Sequence, residues 1–268
     1  MPENKAGSAA TGAPDLKITP PFGYDEVVPL QKQDCVLLPG GATPNFCRSI
    51  NAIAISFSEF TQAARDYPIV FASGDGGQTF APVAVLGLAD KQNLYINAAA
   101  GWEPSAYVPA FVRRYPFCIS KLYVDGKPRS ERMVCVAKAQ LDSQGIALFD
   151  AEGKPTPQWE PIERLLQDYE NDLDLTAQMC ATFAKLGLFS PFQFQVMQGD
   201  KPTLTLQGMF RLDEGKLAEL KPASLKALMS KGLMGKAYAH FHSLENFARL
   251  YNRALARTQS TQSTDSRG

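Results

Sequence analysis

At 268 residues the chain is long enough for one large domain or two small ones, and a domain of this size holds a core without metal or disulfide. It is 45% hydrophobic and 20% charged, the balance of an ordinary soluble globular protein, and 27 Lys and Arg offset 27 Asp and Glu. That neutrality argues against a nucleic-acid binder, which needs a basic excess for phosphate contacts, and no apolar run reaches the ~18 residues of a membrane span. Met1 to Asp15 lacks the apolar core of a secretory signal, so the expected location is cytoplasmic. The five cysteines are widely spaced with no C-x-x-C pair, which signals neither a zinc site nor a dithiol motif and suits a reducing compartment.

Taken in chain order, residues 1–19 are rich in Ala, Gly and Pro and predict a disordered leader. Val27–Leu30 and Val36–Leu38 are short apolar runs that read as strands. Phe57, Phe60, Ala64 and Tyr67 follow helical spacing, with Ser56 placed to cap that helix. Pro68–Ala72 and Phe80–Leu88 read as strands joined by the hairpin loop Ser73–Gln78, and Leu94–Asn97 as a third strand. Val108, Phe111, Val112 and Tyr115 fall at i, i+3, i+4 and i+7 behind Pro109, which predicts a short amphipathic helix. Met133–Ala137 and Ala147–Phe149 add further strands.

From near Thr156 the pattern changes. Ile162, Leu165, Leu166, Tyr169, Leu173, Cys180, Phe183 and Leu186 mark one face of a long helix that Gly187 would stop. Phe192–Met197 and Thr203–Phe210 predict a hairpin turned by Gly199–Pro202, and helical patterns run from Pro222 to about Arg257. Residues 258–268 carry no apolar side chain and read as a frayed, disordered tail. The order is that of an α+β protein: a strand-rich first half with short helices and a largely antiparallel sheet, then a long helix and a helical C-terminal region. Residues 20–257 are expected to form a single domain, with the stretch 150–157 as an alternative lobe boundary.

The chemistry-bearing residues are few. Gly74, Gly76 and Gly77 belong to no phosphate-binding pattern and read as turn glycines, and no motif implies a cofactor. There is no G-x-S-x-G elbow and no recognisable cysteine nucleophile, so the reading leans away from an enzyme. His240, His242 and Glu245 form H-x-H-x-x-E, a set that would offer two nitrogens and one oxygen to zinc or iron. Residues two apart on a helix point to opposite faces, so the imidazoles converge only if the helix breaks near Ser243. Asp172 and Asp174 read as a solvated helix face. Arg113 and Arg114, beside Trp102, Tyr107, Phe111 and Tyr115, suit recognition of a carboxylate, phosphate or sugar; the competing reading pairs one arginine internally and solvates the other. Met234, Ala237, Phe241, Leu244, Ala248, Tyr251 and Leu255 alternate spacings of 3 and 4, as in a docked terminal helix or a coiled-coil seam, which makes residues 234–255 a candidate for helix-mediated partner contact.

The block Asp66–Phe117 closes on Gly-Trp-Glu-Pro-Ser-Ala-Tyr-Val-Pro-Ala-Phe-Val-Arg-Arg-Tyr-Pro-Phe (101–117). With Phe149–Thr156, and Gly208–Glu214 through Ala239–Leu244, it resembles the SapC-like family of bacterial proteins over about residues 22–255. That family is named for a surface-layer locus. The resemblance implies association with a cell-surface layer or with its export and assembly, with envelope or surface-layer components as partners, and supplies no catalytic residues. The resulting expectation is a soluble, non-enzymatic accessory or binding protein. Two alternatives stay open: a small-ligand binder or enzyme using Trp102, Tyr107, Arg113 and Arg114, and a metalloprotein using His240, His242 and Glu245.

Overall fold

Short apolar runs bounded by turn residues build three antiparallel sheets in the computed structural model, which describes residues 16–124, 127–199 and 201–265. The first half supplies β1 (Leu16–Lys17), β2 (Val27–Pro29), β3 (Cys35–Val36), β4 (Ala52–Ala54), α1 (Phe60–Asp66), β5 (Ile69–Ala72), β6 (Ala81–Val85) and α2 (Ala110–Arg113). A long hairpin of β7 (Phe117–Val124) and β8 (Lys127–Ala137) follows, then β9 (Ile146–Ala147) and α3 (Trp159–Lys185). A second hairpin, β10 (Phe189–Gln198) and β11 (Lys201–Leu212), leads into α4 (Glu214–Ala218), α5 (Pro222–Ser230), α6 (Leu233–Ser243) and α7 (Asn246–Asp265).

The five-stranded sheet has the order β10-β11-β5-β6-β4, a four-stranded sheet runs β1-β7-β8-β2, and β3 pairs with β9. With several helices beside these sheets, the protein is α+β. Ile69, Val70 and Phe71 of β5 are all buried, which is why this strand reads as an unbroken apolar run and not as an alternation. β11 joins β5 through Phe210 opposite Phe71, so one sheet combines strands from both sides of residues 150–157. The main core does the same, packing Phe60, Tyr67 and Phe71 with Phe183, Leu212 and Phe247.

The long helix stops where a left-handed glycine was expected. Gly187 has φ 68°, its N–H bonds to Ala184 O, and Leu188 N–H reaches back to Phe183 O, the paired bonds of a Schellman cap. The C-terminal helical stretch divides at Gly232 (φ 69°) and again at residues 244–245. Regular structure extends into both ends: Leu16–Lys17 pairs with Tyr123–Val124, and α7 runs to Asp265. Residues 1–15 of the expected leader and 266–268 of the expected tail lie outside the described residues.

One expected strand is absent. Leu94–Asn97 has no ladder; its backbone serves a loop, with Leu94 N–H bonded to Leu86 O, Glu103 N–H to Tyr95 O, and a lone bridge between Ile96 and Trp102. The apolar residues Leu94, Tyr95 and Ile96 are buried all the same, so burial, not pairing, explains their pattern. The loop turns tightly against β6: a Cβ on Gly87 would lie 1.9 Å from Gln92 O. Gly87→Ala is expected to cost about 2 kcal/mol through the forced backbone shift, seen as a lower urea midpoint with unchanged slope.

Among the described residues, no helix is long and apolar enough to cross a membrane.

Candidate functional site

Pro109 presets the entry to α2 with φ −58°, and the helix makes only one turn before the chain enters Tyr115-Pro116 and β7. The apolar residues Ala110, Phe111 and Val112 are buried, which leaves the two arginines that follow to leave the helix in different directions. Clefts open on three sides of this turn. The four residues singled out from the sequence are divided among them and do not share one pocket.

The first cleft, about 380 Å³, lies between the start of α1, the start of α2 and the flank of α3. Its floor is the buried carboxylate of Glu59, which accepts from four donors: Ser56 N–H (3.0 Å), Ser56 Oγ (2.6 Å), Tyr107 Oη (3.1 Å) and Ala110 N–H. Arg113 Nη2 donates to Tyr107 Oη at 2.9 Å, and its Nε to Val108 O at 3.0 Å. A relay therefore runs from Arg113 through Tyr107 to Glu59. Opposite, Asp172 on α3 accepts from Ser58 N–H (3.1 Å) and Ser58 Oγ (2.7 Å) and shares with Glu59 the single proton of Ser56 Oγ, 3.1 Å away, and Thr176 Oγ1 accepts from Phe57 N–H (2.8 Å). Asp172 is thus a brace between α3 and the 56–58 loop, where a solvated helix face was expected; Asp174 stays exposed. Gln62, Asp168 and Asn171 line the mouth, exposed and without a hydrogen bond among the described residues.

The second cleft, about 310 Å³, is more apolar. Trp102, Val108, Val112 and Arg113 face the loop Pro39–Pro44 across it. Trp102 belongs mainly to the core: its Nε1 donates to Tyr67 Oη at 3.0 Å, and Tyr67 Oη donates in turn to Tyr107 O. The third cleft, about 430 Å³, lies on the far side of Tyr169, and Arg114, Arg132 and Glu170 border it. Arg113 is the one residue of the four that borders two clefts.

The histidine set is not brought together. His240 is fully buried, and its Nε2 accepts from Leu212 N–H at 3.0 Å, at the end of β11, beyond the strand's pairing with β5 at Phe210 and while β10 still pairs Phe189 with Leu212. The proton then sits on Nδ1, which has no hydrogen-bond partner among the described residues. Burial drives the imidazole pKa down to about 4, against an upward pull from the Ile69 backbone and with a further downward push from Arg211. His242 and Glu245 are exposed, and among the described residues no group of three or more His, Cys, Asp and Glu side chains is placed to hold a metal. The chain does break after Ser243, but Ser243 Oγ bonds to His240 O and accepts from Ile69 N–H instead of capping α7. Asn246 donates to Ala64 O and Tyr67 O. His240, Ser243 and Asn246 thus form a polar stripe that ties the C-terminal helices to α1, β5 and β11. The apolar seam alongside docks on the body: Ala237 is buried, and Met234, Phe241, Leu244 and Tyr251 pack on the main core, while Ala248 and Leu255 are exposed.

Sequence reasoning missed Glu59, Asp172, Tyr169 and Arg132. One signal was present: Ser56-Phe-Ser-Glu59 is the S-x-x-E spacing of a capping box, in which the carboxylate reaches back to the serine N–H. Nothing local marks the others, because their partners lie on distant elements.

Fold and clefts together define an α+β protein whose polar side chains gather around a single helical turn. The SapC family model matches residues 40–250, and the chain belongs to that family. No curated protein and no solved structure matches it.

Proposed function

We propose that this chain is a non-enzymatic binding protein serving bacterial surface-layer or envelope functions, and that it holds a neutral polyhydroxylated ligand such as a sugar in the Glu59 cleft. The observation that carries the reading is the engagement of the cleft carboxylates. Glu59 accepts from Ser56 N–H, Tyr107 Oη and Ala110 N–H, Asp172 accepts from Ser58 N–H and Ser58 Oγ, and the single Ser56 hydroxyl proton lies between the two, so both carboxylates are engaged in holding the wall. Such groups orient others, and here they fix Tyr107 and Arg113 at the wall. The amides of Gln62 and Asn171 and the carboxylate of Asp168 then offer both donors and acceptors at the mouth, the mixture that hydroxyl groups require. Family membership supports the surface-layer connection.

Titration with hexoses and hexosamines, followed by amide chemical shifts, is the direct test. Binding should perturb residues 56–62, 107–113 and 165–172, and Tyr107→Phe should weaken it roughly tenfold by breaking the Arg113–Tyr107–Glu59 relay, a loss of about 1.4 kcal/mol. A full panel of sugars that leaves these resonances unmoved overturns the reading.

A further inference from the structure

Arg114 ends α2 pointing away from the Glu59 cleft. It is 6% exposed, and its guanidinium is sandwiched between two rings, 4.5 Å from the Phe111 centroid and 4.6 Å from the Tyr169 centroid. Stacking on both faces suits a guanidinium and leaves only its edge for hydrogen bonding. That edge is not satisfied. Among the described residues its buried Nε–H has no acceptor, and no carboxylate lies within ion-pair distance of it. Glu170, which borders the same cleft and feels the charge of Arg114, is paired with Arg132. The charge of Arg114 is felt nearby: burial pushes the hydroxyls of Tyr24 and Tyr169 up, and Arg114 pulls both partway back.

Native structures rarely leave a buried charged donor without a partner, because each such group costs about 1–3 kcal/mol or more. Arg114 borders the third cleft, about 430 Å³, whose lining combines the apolar side chains of Phe111, Ile119 and Leu173 with the paired Arg132 and Glu170 and with Asp174. We infer that this cleft is a binding site for a small organic carboxylate with an apolar body, which pairs with the guanidinium of Arg114. Two coplanar oxygens match the guanidinium fork. Inorganic phosphate has no apolar body to set against Phe111 and Ile119, so it should be the poorer ligand. The apolar walls select a hydrocarbon body over a hydrated one. The site is separate from the sugar cleft, and Tyr169 is the wall between them.

The test is calorimetric titration of the full chain with hexanoate, hexanamide and inorganic phosphate, in wild type, Arg114→Lys and Arg114→Met. Hexanoate should bind wild type, hexanamide should bind at least tenfold more weakly, and phosphate should be weaker than hexanoate. Arg114→Lys keeps the charge but loses Nε and the planar fork, so hexanoate should weaken at least tenfold. Arg114→Met keeps an apolar filler between the rings and should abolish the difference between hexanoate and hexanamide. Circular dichroism confirms that each variant is folded, and if neither is, the wild-type comparison of acid with amide decides alone. Equal binding of acid and amide, tighter binding of phosphate, no binding of hexanoate, or an unchanged constant in a folded Arg114→Lys each overturns the inference. Tyr107→Phe should leave hexanoate binding unaltered, so failure here and failure of the sugar reading are told apart.

Discussion

Glu59→Ala is expected to lower the unfolding free energy by about 4 kcal/mol, the largest loss at any single position around the clefts. The carboxylate is 4% exposed and serves as acceptor for Ser56 N–H, Ser56 Oγ, Tyr107 Oη and Ala110 N–H. Alanine would strand two backbone N–H groups, each costing about 1–3 kcal/mol, and would free Tyr107 and Arg113 from the wall. Breaking a buried charged network by removing one member typically costs about 3–5 kcal/mol. Glu59→Gln keeps the shape and one acceptor oxygen but turns an NH₂ toward fixed donors, so it should recover only part of the loss. Urea unfolding measures both. A loss below about 1 kcal/mol for alanine would show that the three elements hold together without the carboxylate.

The second large effect depends on pH and belongs to His240. Its folded-state pKa of about 4 lies below the ordinary value of 6.5, so the unfolded chain takes up a proton first as pH falls. Stability is therefore intact above about pH 6.5 and is lost as pH drops toward 4, by about 3 kcal/mol in total. Asp75 and Asp213 are held below the usual carboxylate range by hydrogen bonds, led by Thr79 and Lys216 respectively, so their titration falls at the acid end of this window or beyond it. Burial raises Glu170, an effect of the opposite sense that cancels when wild type is compared with a variant at His240. His240→Gln can still accept from Leu212 N–H without titrating. Its stability measured at pH 7, 5.5 and 4 should fall by about 3 kcal/mol less than that of wild type, and parallel curves would refute the assignment.

Much of the fold was readable because it rests on local signals. Gly187 closes α3 as its position suggested, Gly199 sits at the turn of the second hairpin with φ 60°, and the apolar run at 68–72 became the buried strand β5. The reading failed where burial imitates pairing. Leu94, Tyr95 and Ile96 are apolar because they fill the core from a loop, and no local pattern separates that from a strand. Of the arginine–aromatic block, the residue types were legible but not their division. Arg113 and Arg114 are adjacent in sequence, and one turn of helix sends them into different clefts. Asp172 and Tyr169 were read only as helix-face residues, because their partners at 56–58 and Arg114 meet them only across the fold. The histidines misled in a related way: His240 completes a strand 28 residues earlier in the chain.

The braces across the Glu59 cleft also fix a timetable. The loop at 56–58 finds its partners at Asp172 and Thr176, 114 to 119 residues later, and Ile69 N–H waits 174 residues for Ser243. At roughly 5–20 residues per second on a ribosome, the first wait lasts on the order of ten seconds. For that interval β5 has no β11 beside it, and the nascent chain presents an open sheet edge of the kind that recruits other strands. The lining of the cleft is complete only once α3 has been made, so a chain that can hold a ligand there is one translated past Thr176, while β10, β11 and the C-terminal helices are still to come.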